Sequence, residues 1–274
     1  MRRFNRIFTI LVFIFLYIPM VVLAIASFNK GMDIAVFKGF TFDQYKELFR
    51  DSSLLALLRN SLIISVLASL LATVIGTAAA MGIHKMRGRI RSAVMTLTNI
   101  PMTNPEIVTG VSMALLFAFA GMMLRIHSIL GFWTLLIAHI TFNLPYIILN
   151  VMPKLSQMDP DLTEAALDLG CTPVQAFFKV VLHEIMPGII SGMLMAFTMS
   201  LDDFVISYFV TGSGFVTLPV EIYSYTKKPI QPKVYAMFTL MFIVILILMV
   251  TMNLLQARDK SKRRKVAAVR RHGV

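Results

Sequence analysis

The sequence predicts an all-α integral membrane protein with about six membrane-spanning helices and one long helical loop. Three observations predict it. Hydrophobic residues make up 57% of the 274 and charged residues only 15%, so the chain carries more apolar surface than a soluble domain can bury and the surplus must face lipid. The apolar residues gather into runs of about 20 or more, the number a helix needs to cross a hydrocarbon core of about 30 Å. Cations sit between and beside these runs, so the net charge of +12 is read as membrane topology and not as a nucleic-acid footprint.

The spans follow in order. Ile7 to Phe28 comes after Arg2, Arg3 and Arg6; Ala24-Ile25-Ala26 resembles a cleavage site, but the apolar stretch is longer than a signal core, so an uncleaved anchor is expected. Ser61 to Ile83 is the second span. The third apolar stretch, Ala93 to Met123, contains Pro101 and Pro105, which are expected to break it near mid-membrane and start a half-helix at Glu106. Ile129 to Met152, Ile185 to Val210 and Val234 to Leu255 complete the six. With both termini inside, the inner segments hold Arg2, Arg3 and Arg6; Lys85, Arg87, Arg89 and Arg91; Lys154 and Lys179; and the cations from Arg258 to Arg271. The positive-inside rule favours this orientation, although the outer segment from Lys30 to Arg59 also carries cations. Residues 1–257 form the membrane domain, and 258–274 a basic tail suited to anionic lipid.

Several chemistries are excluded. Cys171 is the only cysteine, so no internal disulfide forms, and it is read as a reduced thiol. His84, His127, His139 and His183 lack ligand spacing, so no metal site is expected. No Gly-x4-Gly-Lys-Ser/Thr loop occurs, so any ATP hydrolysis belongs to another chain. Trp133 is read as an interfacial anchor.

The loop from Pro153 to Glu184 reads as two short helices with a bend between them. Asp159 caps the first, with Pro160 next and Asp161 and Glu164 in its first turns, where carboxylates meet the positive end of the helix dipole. Gly170 ends it. Thr172-Pro173 repeats the signal, and a second helix from Val174 runs towards Pro187.

Within this loop, Glu164-Ala165-Ala166, Leu167-Asp168-Leu169, Gly170 and Val180-Val181-Leu182 resemble the cytoplasmic coupling loop of type I ABC-importer permeases, with His183 where the family has proline. Pro105-Glu106-Ile107-Val108-Thr109-Gly110-Val111-Ser112, Ser200-Leu201-Asp202-Asp203-Phe204-Val205-Ile206-Ser207-Tyr208-Phe209-Val210-Thr211-Gly212, Leu218-Pro219 and Ile222-Tyr223-Ser224 look like the spermidine/putrescine permeases, closest to the second of their two permease subunits. The resemblance implies a non-enzymatic transport subunit in a bacterial cytoplasmic membrane, without a cofactor of its own. It also implies the partners: a second homologous permease, two copies of a cytoplasmic ATPase that bind ATP and magnesium, and an external substrate-binding protein. The same architecture importing iron or an opine is the alternative cargo. An ATP-independent carrier would be expected to show an inverted repeat, and none is seen. Glu164, Ala165, Ala166 and Gly170 are the expected coupling residues, since two alanines let a helix backbone approach a docking groove.

Carboxylates inside hydrocarbon cost about 2.5–3.5 kcal/mol on insertion scales and normally face a protein or watery interior. At 100° per residue Gly192, Ala196, Ser200, Asp203, Ser207 and Thr211 share one stripe, with Asp202 turned away. Asp203 is therefore the first candidate for the substrate pathway and Asp202 the second; the other reading of either, that it caps a bend or pairs with an Arg or Lys of the second subunit, is as strong for Asp203 and the stronger one for Asp202. Glu106 either faces a cavity or caps its helix. Phe204, Tyr208, Tyr223 and Tyr225 are candidate aromatic faces for an ammonium group. Glu221, in the segment before the sixth span, could meet the cation early or be a solvated loop carboxylate, with Lys227 and Lys228 near it.

Overall fold

A computed structural model describes residues 2–31, 36–126, 129–159, 161–212, 214–226, 232–247 and 249–251. In chain order the elements are α1 (Arg2–Ala26), α2 (Asp43–Arg50), α3 (Ser52–His84), α4 (Gly88–Thr103), α5 (Glu106–Leu124), α6 (Phe132–Gln157), α7 (Asp161–Asp168), α8 (Pro173–Ala176), a π-helical turn (Phe177–Val181), α9 (Leu182–Asp202), α10 (Val205–Val210) and α11 (Leu218–Thr226), then α12 (Pro232–Thr251). Among the described residues six helices are long and apolar enough to cross a membrane: α1, α3, α5, α6, the run from Pro173 to Asp202, and α12. The expected all-α membrane fold is the observed one. The basic tail, Pro160, His127, Lys227 and Lys228 lie outside the described residues.

Two spans differ from the expectation. The third apolar stretch is two helices, α4 and α5, separated by extended backbone at Asn104 and Pro105. Proline pushes the residue before it out of the helical region, so the break falls at Pro105, while Pro101 is carried in the last turn of α4. The 19 residues of α5 are long and apolar enough to cross by themselves, so Glu106 opens a helix of full-span length. The fifth span begins earlier than Ile185, because the second loop helix continues through the π-helical turn, His183 and Pro187 into α9. It then stops at Asp203 and restarts at Val205.

The chain divides into two compact units. In the unit from Leu57 to Glu221 the central element is α6, the most enclosed of the six spans. One core cluster joins Ala72, Ala80 and Ile83 of α3, Ile147, Val151 and Leu155 of α6, and Ile185, Ile189 and Ala196 of α9. A second joins Ile64 and Ala68 of α3, Leu135, Leu136, Ala138 and Phe142 of α6, and Ile206 and Val210 of α10. Lipid tails are as apolar as leucine, so spans associate through close packing and interhelical hydrogen bonds. Both are present. A Cβ at Gly188 would lie 2.7 Å from the Asn150 carbonyl oxygen, and one at Gly192 would lie 3.1 Å from Ile147 Cα; the absent side chains let α9 settle on α6. Along α3, Ser61, Ser65, Ser69, Thr73 and Thr77 recur every fourth residue and are all buried. Ser65 and Thr73 return their hydroxyls to the carbonyls four residues back, and the Ser61 hydroxyl accepts the Leu218 N–H at 2.8 Å.

The other unit comprises residues Met1–Ala56 and Ile222–Leu255. Apolar side chains of α1 are exposed on every side from Ile7 to Ile25, the pattern of a helix whose solvent is hydrocarbon. After it, Asn29 organises a loop by accepting the N–H groups of Gly31 and Lys38 on one oxygen. Phe28 stacks on Phe40 at 5.0 Å and meets Phe42 and Tyr45 at 5.5 and 5.1 Å.

Candidate functional site

Asp203 ends α9, and its carboxylate replaces the helical hydrogen bonds lost where the span breaks. Oδ1 accepts the Ile206 N–H at 3.2 Å, and Oδ2 accepts the Ser207 N–H at 2.7 Å and the Ser207 hydroxyl at 2.8 Å. His139, on α6, brings Nε2 to 3.3 Å from Oδ2 and 3.0 Å from Ser207 Oγ. The His139 and Asp203 side chains are only 2% and 5% exposed. The stripe read as a pathway face is thus the packed face: Gly192, Ala196, Ser200, Ser207 and Thr211 are buried, and Asp203 points inward with them. The same interface holds Asn143, which donates to Ser200 Oγ at 2.7 Å, and Thr134, which donates to the Val210 carbonyl at 2.9 Å.

Asp202 faces the other way and is exposed, as is Glu106 at the first position of α5. Glu106 lies within electrostatic reach of both Asp202 and Tyr146 of α6. Tyr208, 50% exposed, sits one turn beyond the break, its ring 5.5 Å from that of Phe204 and 5.4 Å from that of Phe209. α10 packs closely on α5: a Cβ at Gly110 would lie 2.9 Å from the Phe209 ring and 3.4 Å from Ile206 Cα. Beside the break at Pro105 runs a groove of about 270 Å³, whose lining includes Asn104, Thr109 and Ser112. The exposed carboxylates of Glu106 and Asp202 and the exposed ring of Tyr208 are groups able to replace part of the hydration shell of an organic cation.

Glu221 lies half-buried in the first turn of α11, and Tyr223 is exposed two residues later.

The loop between α6 and α9 has the expected local chemistry. Asp159 Oδ1 accepts the Asp161 N–H. Gly170 adopts φ +83°, the left-handed turn that glycine makes without Cβ strain, and the Cys171 N–H closes it on the Ala166 carbonyl at 3.0 Å. Thr172 and Gln175 form a reciprocal capping box. Glu164 and Ala165 face outward, whereas Ala166 is buried. Leu167, Leu169, Val174 and Phe178 are exposed around them, the apolar character of a docking surface.

Sequence reading named His139 only as lacking ligand spacing and did not single out Asn143 or Tyr146. The partners of His139 and Asn143 lie on other helices, 68 and 57 residues away, and only an i, i+4, i+7 recurrence of polar residues in an apolar span could have pointed to the three.

Residues 72–264 match the family described as "Binding-protein-dependent transport system inner membrane component". The chain is 37% identical over 261 residues to the spermidine/putrescine transport system permease protein PotC of Haemophilus influenzae, covering 94% of this chain and 99% of that one. It is 38% identical over 230 residues to the putrescine transport system permease protein PotI of Escherichia coli K12, covering 83% and 82%. Among solved structures it resembles a chain of a bacterial ABC transporter involved in the import of the acidic polysaccharide alginate, with TM-score 0.68, 17% identity and coverage of 91% and 92%. A chain of the inward-facing MetNI methionine ABC transporter gives TM-score 0.59 at 18% identity, covering 80% and 99%; at such identities these likenesses speak for the fold alone. The family match over most of the chain, and relatives aligned along nearly all of it, establish that the chain belongs to the binding-protein-dependent transport system inner membrane components.

Proposed function

We propose that this chain is one permease subunit of an ATP-driven importer whose cargo is a polyamine such as spermidine or putrescine. Both termini and the loop between α6 and α9 face the cytoplasm, and a second, homologous permease completes the pathway. Two copies of a cytoplasmic ATPase, which bind ATP and magnesium, dock on the loops, and an external binding protein delivers the solute. Two lines support the cargo: the names of the relatives, and the exposed carboxylates of Glu106 and Asp202, which lie within electrostatic reach of each other. That pair carries the reading, because two neighbouring carboxylates outside the packed core attract a polycation and disfavour an anion.

In this reading Asp202, Glu106 and Tyr208 contact cargo, while Asp203 and Ser207 hold the break that presents them. Glu221 and Tyr223 form an outer element met earlier. Glu164, Ala165, Ala166 and Gly170 transmit ATPase motion. The chain makes no covalent bond. Its two conformations need only differ in affinity for cargo and in contacts with the ATPase, which is a coupling free energy.

The test is uptake of radiolabelled putrescine and spermidine into proteoliposomes holding the assembled transporter, with and without internal ATP. ATP-dependent uptake that Asp202→Asn weakens about tenfold or more in KM supports the proposal. ATP-dependent transport of another solute would keep the architecture and remove the polyamine.

A further inference from the structure

We infer that His139 is a positioning residue of the pathway, acting through Asp203 to hold the break in the fifth span. Two backbone N–H groups, Ile206 and Ser207, reach Asp203 across the interruption, and the Ser207 hydroxyl donates to the same carboxylate. With its proton spent on Asp203, Ser207 Oγ is left as an acceptor, and Nε2–H of His139 is the donor that faces both it and Oδ2. His139 is the contact to this knot that comes from another helix, so it registers the break against α6. Ile206 and Val210 pack with Leu135, Leu136 and Ala138 of α6 in the same core cluster, which holds the α6 turn carrying His139 beside α10.

The break lies between exposed groups: the Asp203 side chain is turned inward, while Asp202 before it and Tyr208 after it are exposed. Losing the His139 donor leaves the buried carboxylate short of one charge-assisted bond. The break loosens, and Asp202, one residue before Asp203, loses its fixed position. The inference rests on the proposed pathway for its functional consequence, but the geometry can be read without any cargo.

The experiment uses the assembled transporter in proteoliposomes. His139→Leu is expected to raise KM for putrescine about tenfold while the complex still assembles, and His139→Gln, whose amide can donate, to restore it. In an Asp202→Asn background His139→Leu should add no further change, because the two act on one contact. Full activity of His139→Leu, failure of the glutamine to rescue, or additive losses would each overturn the inference. A reading that ignores cargo uses Asp202→Cys with Cys171→Ser and follows labelling by a charged maleimide. His139→Leu should change that rate several-fold, and an unchanged rate would overturn the inference even if the transported solute proves not to be a polyamine. Should His139→Leu not assemble, Ser207→Ala, which removes one of the two acceptors facing Nε2–H and the hydroxyl donated to Asp203, is put through the same measurements with the same expected direction.

Discussion

Asp51 shows how one residue can tie two helices together. Its Oδ1 accepts the N–H groups of Ser53 and Leu54 at 3.1 and 3.2 Å, capping α3, while Oδ2 receives Lys233 of α12 at 2.7 Å, the two side chains being 26% (Lys233) and 19% (Asp51) exposed. The Lys233 and Ser53 hydrogen bonds hold its carboxyl far below the ordinary carboxylate range. A depressed folded-state pKa means that the unfolded chain binds the proton more readily, so the stability from this group is complete above the ordinary carboxylate range and is lost as pH falls through it towards the lower folded value. Thermal unfolding in detergent, followed from pH 7 down to pH 3, should therefore show an acid-side loss that Asp51→Asn reduces. An identical acid profile in that variant would remove the assignment. Glu106 was legible from sequence as a carboxylate following a proline, and so was the cap at Asp159. Asp203 was legible as an aspartate out of place in an apolar run. Periodicity placed it on the stripe of Ser200 and Ser207, where the structure has it, but did not show that this stripe is the packed face or that the helix stops there, because a periodicity argument assumes a continuous helix.

Among elements, the pairing of α6 with α9 depends on what α9 lacks. A methyl at Gly188 would meet the Asn150 carbonyl and Lys154 Cγ, both at 2.7 Å, whereas nothing lies within 4 Å of one at Gly82. Gly188→Leu is expected to destabilise the unit by about 1–3 kcal/mol through overpacking, and Gly82→Ala to leave it unchanged; melting of the purified complex distinguishes them. The loop makes a different demand. Ala165 is exposed on a helix rimmed by Leu167 and Leu169, so Ala165→Arg should leave this chain folded and lower ATP-driven uptake by about tenfold or more, with ATP hydrolysis no longer stimulated by loaded binding protein. Spans with strong hydropathy were legible because length and composition suffice to find them. The break at Pro105 was legible because proline carries its own backbone rule. The break after Asp203 has no proline or glycine to announce it, since it is built by a side chain and a histidine from another helix.

At the level of the whole chain, six spans, their order and the long loop before the fifth were open to sequence reading, because the hydrocarbon core imposes one length on every crossing. Which faces are turned inward was not. Small residues, hydroxyls and carboxylates serve equally well to pack helices together and to line a polar route, and only the fold separates Gly192, Ser200 and Ser207, which are buried, from Asp202 and Tyr208, which are exposed. The end of the loop proposed to dock the ATPase runs into the span that carries Asp202 as one helix from Pro173 to Asp202, with a π-helical turn at Phe177–Val181 between α8 and α9. A π-turn holds one residue more than the α-helical turn it replaces, and one residue is worth about 100° of rotation about the axis. That surplus residue works as a phase setting between two ends of a single shaft. Removing one residue within 177–181 should leave the shaft straight and the spans intact while turning α7 and α8 about 100° out of phase with the glycine face of α9. A transporter so altered is expected to assemble, bind ATP and hydrolyse it without moving solute, and the comparison of uptake with ATP turnover in that deletion measures how much of the drive passes through torsion.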